Sequence, residues 1–135
     1  MKRALIAGIS IFVAWTLLDA VGHRAALQPL YASADTILRP VSEMSPVLVT
    51  AVTILLVVIF VVGYTVFARP KSVVRGLLFG GLLGAALGVS SGFGTYIHSP
   101  IPVGLAWGWF ALGTIKGLAA GAALGAWIRE GNHLV

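Results

Sequence analysis

The feature that most constrains this fold is a long uncharged segment at residues 46–68. It is dominated by Val, Ile and Leu and contains no charged side chain. A helix of about 20 apolar residues crosses the hydrocarbon layer of a bilayer. Ser45 and Pro46 are suited to the N-cap and the first helical position, and Arg69-Pro70 ends the run. The segment therefore predicts a transmembrane helix.

Three further apolar runs predict spans at about residues 4–22, 76–93 and 103–128. Gly92-Phe93-Gly94 and the prolines at 100 and 102 are expected to break regular structure after the run at 76–93. The chain is 59% hydrophobic and only 10% charged, whereas a soluble domain has about 25% charged residues. Lys2 and Arg3 before the first run resemble the start of a secretory signal peptide, but Asp19 interrupts the run ahead of a clean cleavage site. We therefore expect an all-α membrane protein, with four transmembrane helices in one domain over residues 1–135.

The connection between the first two spans has a helical pattern of its own. Its apolar residues recur at helical spacing, between Pro29 near the start and Pro40 after the end. They are Leu27, Leu30, Tyr31, Ala34, Ile37 and Leu38. The pattern predicts a short interfacial helix at the outer membrane surface. An ordered loop is the alternative.

The basic residues indicate orientation rather than nucleic-acid binding. The net charge is +5, but the basic side chains flank the apolar runs and form no cluster. One side of the predicted bundle has Lys2, Arg3, Arg69, Lys71, Arg75 and Arg129, and the other has Arg24 and Arg39. By the positive-inside rule both termini are expected to be cytoplasmic. The composition suits a multi-pass protein of a bacterial inner membrane, with no nucleic-acid partner.

Glycine recurs at every fourth position on the last two spans. The residues are Gly76, Gly80, Gly84, Gly88 and Gly92, then Gly113, Gly117, Gly121 and Gly125. Small residues four apart let helix backbones approach closely in lipid, where the hydrophobic effect gives helices little reason to associate. We expect a glycine zipper that packs the two spans as a hairpin. A stripe facing another subunit, in a homo-oligomer or a larger membrane complex, is the alternative.

Ionisable residues near the membrane are candidates for function, because polar groups are costly there. Asp19 and His23 lie four residues apart on one face of the first span, and Glu43 and His98 are predicted on the same side of the membrane. Asp19, His23 and His98 are candidate ligands for a metal, and the histidines for haem. Mutual pairing without a ligand and an ion pathway are the alternatives.

Lys116 is the second outlier, since it falls about halfway along the fourth span. A charged amine there costs a few kcal/mol even after snorkelling. The nearest acid by predicted depth is Asp19, about 10 Å away along the membrane normal at 1.5 Å per residue. Only the flexible lysine stem could join them. A buried Asp–Lys pair and a polar cavity open to one side are both consistent with this spacing.

The sequence gives no catalytic residues, because it contains no cysteine and no recognisable nucleophile–base pair or phosphate-binding loop. Several short motifs nevertheless resemble an uncharacterised family of small bacterial inner-membrane proteins. They are Asp19-x-x-x-His23, Leu30-Tyr31, Arg39-Pro40, Glu43-Met44, Gly94-Thr95-Tyr96 and Pro100-Ile101-Pro102. The resemblance implies a four-helix membrane protein and supplies no substrate.

Three functions are consistent with these patterns. The first, which the regularly spaced glycines favour, is a structural or accessory subunit that associates through its glycine faces in a homo-oligomer or larger membrane complex. The second is a small transporter or channel for protons or cations, with Asp19, His23 and Lys116 as the pathway candidates and Glu43 and His98 nearby. The third is a metal- or haem-binding membrane protein, although no cofactor is indicated by a specific motif. The patterns favour a non-enzymatic role with the lipid bilayer as the immediate partner.

Overall fold

The computed structural model of the chain describes residues 1–35 and 37–129. Four of its helices are long and apolar enough to cross a membrane: Lys2–Ala26, Pro46–Phe67, Val73–His98 and Val103–Trp127. The expected all-α membrane fold with four spans is confirmed. The protein is therefore a multi-pass membrane protein, and we call the end where Met1 and Arg129 lie the terminal end and the opposite end the distal end.

The first and third spans continue further than the sequence indicates. Helix α1 (Lys2–Val21) runs on into a π-helical turn at Gly22–Ala26. Helix α4 (Val73–Val89) continues through a π-helical turn at Ser90–Gly94 into α5 (Thr95–His98). The glycines at this second turn were expected to break regular structure. Instead Gly94 keeps right-handed helical angles, with φ of −58°, so the chain remains helical up to His98.

Local sequence explains where the other helices begin. Helix α3 (Pro46–Phe67) starts after Ser45, whose hydroxyl accepts a hydrogen bond from the Leu48 amide at 3.3 Å. Ser72 caps α4 in the same way through the Arg75 amide, at 3.2 Å. Helix α6 (Val103–Trp127) follows Pro102. A short helix, α2 (Gln28–Ala32), joins α1 to α3 as expected, although it is shorter than the apolar pattern suggested.

The tightest packing in the bundle is between α4 and α6, which run antiparallel along their glycines. Gly84 lies against Gly113 and Gly117, and Gly80 lies against Gly117 and Gly121, so closely that a Cβ at any of these positions would overlap the facing backbone. Gly76, Gly80, Gly84, Gly88 and Gly92 are all buried, as are Gly117, Gly121 and Gly125. The two glycine stripes therefore face each other within one chain.

Helix α1 packs on the other side of α6, and α3 packs on α1. The core at the terminal half of the bundle is apolar and fully or almost fully buried, with members from α1, α3 and α6. They include Ala7, Ile11, Trp15, Phe60, Tyr64, Ala120 and Leu124. This core closes the bundle toward the terminal end. Over residues 46–52, by contrast, every side chain of α3 is exposed, because the first half of that helix leaves the bundle.

Candidate functional site

A part-buried ion pair joins two spans of the bundle. The Lys116 ammonium on α6 donates to both carboxylate oxygens of Asp19 on α1, each at 2.7 Å. The Lys116 side chain is 21% exposed and that of Asp19 34%. The pair is therefore only partly buried. Each residue neutralises the charge of the other, which would be costly in the membrane if it were unpaired.

Trp15 fixes the position of Lys116 at two points. Its indole N–H donates to the backbone carbonyl of Lys116 at 2.8 Å, and the ammonium lies 5.0 Å from the centre of the same ring. The lysine backbone is thus level with Trp15, one helical turn or about 6 Å below Asp19. The lysine stem spans that distance along the helix surface. This explains how Asp19 and Lys116 meet despite the separation in depth that the sequence suggests.

His23 extends the site toward the distal end. Its Nε2 lies 3.7 Å from Asp19 Oδ1, beyond a direct hydrogen bond but within the reach of a bridging water. Its Nδ1 lies 2.6 Å from the Tyr31 hydroxyl of α2. The same hydroxyl oxygen accepts a hydrogen bond from the Trp109 indole of α6, also at 2.6 Å. Residues of three helices therefore converge on His23.

The donors in this group set the direction of its hydrogen bonds. An indole N–H only donates, so the Tyr31 oxygen accepts from Trp109 and its own proton points to His23 Nδ1. The proton of a neutral His23 then lies on Nε2, facing Asp19. Burial raises the pKa of Tyr31 above its ordinary value, the Trp109 hydrogen bond opposes that shift, and the Asp19 charge adds to it. Tyr31 consequently stays a neutral donor at physiological pH.

These groups line one cavity of about 330 Å³ at the distal half of the bundle. Its lining includes Asp19, His23, Tyr31, Ser91, Trp109 and Lys116. The volume is at the lower end of the roughly 300–1,000 Å³ typical of small-molecule pockets. The hydrogen-bonded series of Trp109, Tyr31 and His23 thus lines the same cavity as the Asp19 carboxylate and the Lys116 ammonium. Such an arrangement can hold and exchange a proton or bind a small ion.

The structure brings together only some of the site residues expected from sequence. Asp19, His23 and Lys116 converge, whereas His98 at the end of α5 and Glu43 in a short 3₁₀ turn are exposed and line neither this cavity nor the one described below. Among residues 1–35 and 37–129, no group of three or more His, Asp or Glu side chains is placed to hold a metal ion. The metal hypothesis built on His98 therefore gains no geometric support from these residues.

Two residues of the site were not expected from sequence reasoning. Trp109 lies near the start of the fourth predicted span and has no other role in the sequence prediction, and Tyr31 enters it only as part of an amphipathic pattern. A signal for Trp109 was present, because residues 109 and 116 are seven apart and lie on one face of α6. Tyr31 had no such signal, since its position depends on how the π-helical turn at Gly22–Ala26 directs α2 back toward the bundle.

In comparisons with protein-family models, curated proteins and solved structures, nothing matches this chain. The resemblance to small bacterial inner-membrane proteins stays a prediction.

Proposed function

We propose that this chain is a small membrane transporter that exchanges protons or cations through Asp19, His23 and Lys116. The observation that carries the proposal is the ion pair between Asp19 and Lys116, at 2.7 Å, in a cavity shared with His23. Ionisable residues inside a membrane bundle commonly mark ion pathways and proton relays. Three such residues from two spans meet here.

A purely structural role accounts for less of the site. A salt bridge that only holds α1 to α6 needs two residues, and apolar residues of similar volume often stabilise as well as a buried pair. It needs neither a cavity nor the chain from Trp109 through Tyr31 to His23. In that chain the Trp109 indole orients the Tyr31 hydroxyl, whose proton points to His23 Nδ1, and His23 Nε2 lies 3.7 Å from Asp19 Oδ1. Proton exchange uses all of these features together.

The shape of the bundle favours alternating access over an open pore. The cavity lies at the distal half, and the apolar core that includes Ile11, Phe60 and Leu124 closes the terminal half. We infer that this conformation presents the site to the distal side. A second conformation, in which the packing of α1 against α6 changes, would present it to the other side.

We further propose that the membrane is a bacterial inner membrane with both termini in the cytoplasm. Six basic residues lie in or next to the segments at the terminal end, and two lie at the distal end. The asymmetry follows the positive-inside rule. In this orientation the Asp19–Lys116 cavity opens toward the outer side.

Proton uptake by proteoliposomes tests the proposed transport. A potassium gradient with valinomycin supplies the driving voltage, and an enclosed pH-sensitive dye reports uptake. The wild-type protein is expected to exceed empty liposomes, and Asp19→Asn is expected to remove that excess. Glu43→Gln is the matched control, because it also neutralises one acidic residue but lies outside the cavity. Wild-type rates equal to those of empty liposomes would refute the proposal.

A second candidate, an accessory subunit of a homo-oligomer or larger complex, is favoured by a different observation. Residues 46–52 of α3 are exposed throughout, so this half-helix has a free apolar surface for another membrane helix. The glycine stripes are buried between α4 and α6 and are not free for that contact. Light scattering of the protein in mild detergent distinguishes a monomer from an oligomer, and an oligomer would support this second candidate.

A further inference from the structure

A second cavity adjoins the charged site and is largely apolar. Its volume is also about 330 Å³, and Ser91, Gly113 and Lys116 line both cavities. The apolar part of its lining comes from three helices. These residues are Trp15 on α1, Leu56 and Phe60 on α3, and Leu87 on α4. The polar and apolar spaces therefore meet at Lys116.

We infer that the apolar cavity opens sideways, between α3 and α4, because it is lined by residues of both helices. These helices touch near the terminal end, where the ring of Phe79 on α4 lies 6.2 Å from Phe60 and 5.8 Å from Tyr64 on α3. Toward the distal end, residues 46–52 of α3 are exposed, as are Leu87 of α4 and Ser90 of the π-helical turn that follows it. The gap therefore faces the hydrocarbon layer. A molecule already dissolved in the bilayer can enter it without crossing water.

The charges at the junction specify which head group fits. Lys116 is the cation that both cavities share, whereas Asp19 lines only the first. An anion that arrives from the apolar cavity therefore meets the ammonium first and competes with Asp19 for it. A carboxylate satisfies the ammonium as Asp19 does, with two acceptor oxygens.

Charge balance then couples anion binding to a proton. The groups facing His23 are Asp19 on its own helix, Tyr31 on α2 and Lys116 on α6. With His23 neutral, Asp19 and Lys116 cancel. A bound anion leaves one uncompensated negative charge in a shielded site, which is costly. Protonation of His23 restores neutrality, because the site then contains two ion pairs. The bound anion pairs with Lys116, and protonated His23 pairs with Asp19.

We propose that the joined cavities bind a fatty carboxylate from the membrane, with its head at Lys116, its chain in the apolar cavity, and uptake of one proton at His23. On binding, the carboxylate replaces Asp19 on the ammonium. A proton from the distal solution bonds to His23 Nδ1, and the Tyr31 hydroxyl turns its own proton away. No covalent bond other than this N–H forms. This proposal rests on the proposed proton exchange and names the ligand coupled to it.

Quenching of tryptophan fluorescence in phosphatidylcholine nanodiscs tests the binding site. The probe is bromoundecanoate, whose bromine quenches nearby indoles. Trp107→Phe with Trp127→Phe removes two exposed tryptophans and keeps Trp15 and Trp109, which line the cavities. We expect saturable quenching by the carboxylate. Bromoundecanol, with the same chain and no charge, should bind roughly ten- to a hundredfold more weakly.

Variants in this background separate the head-group site from the chain site. Asp19→Asn removes the competitor for Lys116, so the carboxylate should bind more tightly. Asp19→Asn with Lys116→Gln leaves no unpaired charge and should weaken binding about tenfold or more. Leu87→Phe narrows the apolar cavity, adds no indole and leaves the ion pair in place, so it should also weaken binding if the chain lies there. A pH indicator in weak buffer should record about one proton taken up per carboxylate bound.

Several outcomes would overturn the proposal. Equal quenching by the carboxylate and the alcohol, unchanged in the double variant, would mean simple partitioning into an apolar groove. Competition by acetate as strong as that by the long-chain acid would mean an anion site without a chain cavity. Binding without proton uptake would refute the coupling. Since proteoliposome uptake needs no added carboxylate, the proposed transport can fail or succeed independently of this test.

Discussion

Replacing Gly117 with alanine should force α4 and α6 apart. A Cβ at this position would overlap the Gly80 carbonyl oxygen and would lie 2.6 Å from the Gly84 Cα, whereas ordinary contact begins near 3.4 Å, so the backbones must separate by at least about 0.8 Å. Overpacking of this kind costs about 1–3 kcal/mol. The gain in helix propensity from glycine to alanine offsets roughly 1 kcal/mol of it. Because the overlap is with backbone atoms of α4, which cannot rotate away, the upper end of this range applies and the expected net loss is about 2 kcal/mol.

Gly94→Ala is the matched control for this prediction. Gly94 lies in the same hairpin, but a Cβ there would meet nothing within 4 Å. Only the propensity term remains, so this variant should be as stable as the wild type or more stable by up to about 1 kcal/mol. Titration with sodium dodecyl sulfate in mixed micelles, followed by far-ultraviolet circular dichroism, measures both. Equal midpoints for the two variants would refute the packing of α4 on α6 described here.

Two further predictions concern the tryptophan and tyrosine of the site. Trp15→Phe removes the hydrogen bond to the Lys116 carbonyl and weakens the contact with its ammonium, so it should cost about 1–3 kcal/mol in the same titration; an unchanged midpoint would contradict that contact. Tyr31→Phe should remove a phenol that ionises above the ordinary value of about 10, because burial raises the pKa of Tyr31. The contribution of Tyr31 to the free energy of unfolding should therefore be fully present below about pH 10 and should be lost as pH rises through the folded-state pKa of Tyr31. The difference in phenolate absorbance between the wild type and Tyr31→Phe, followed as pH rises, reports the ionisation of Tyr31. Ionisation of Tyr31 at or below the ordinary value of about 10 would contradict the prediction.

The spans could be predicted from the sequence because the bilayer imposes one simple requirement on each of them. An uncharged run such as residues 46–68 has no alternative in lipid to a helix that satisfies its own backbone. Helix ends were harder to predict. Glycine and proline near residues 92–102 suggested an early break, but Gly92 packs closely on Ala106 and the helix continues through a π-helical turn.

The site could be predicted only in part, for a geometric reason. The spacing of Asp19 and His23 by one turn places them on one face of α1, and the charge of Lys116 requires a partner. The path of the chain between the first two spans follows no comparable rule. The contacts of Tyr31 with His23 and Trp109, and the distance of His98 from the cavity, depend on that path and on the turn at Ser90–Gly94.

The most direct test of the central claim uses Asp19→Asn together with Lys116→Gln, measured for stability and proton uptake in the same preparation. The double variant removes both charges and leaves neither unpaired, so folding should change by less than about 1–2 kcal/mol. If the pair exchanges protons, the variant should fold and reconstitute as the wild type does and show no uptake above empty liposomes. Wild-type uptake by the folded double variant would contradict the claim and leave the ion pair with a structural role alone.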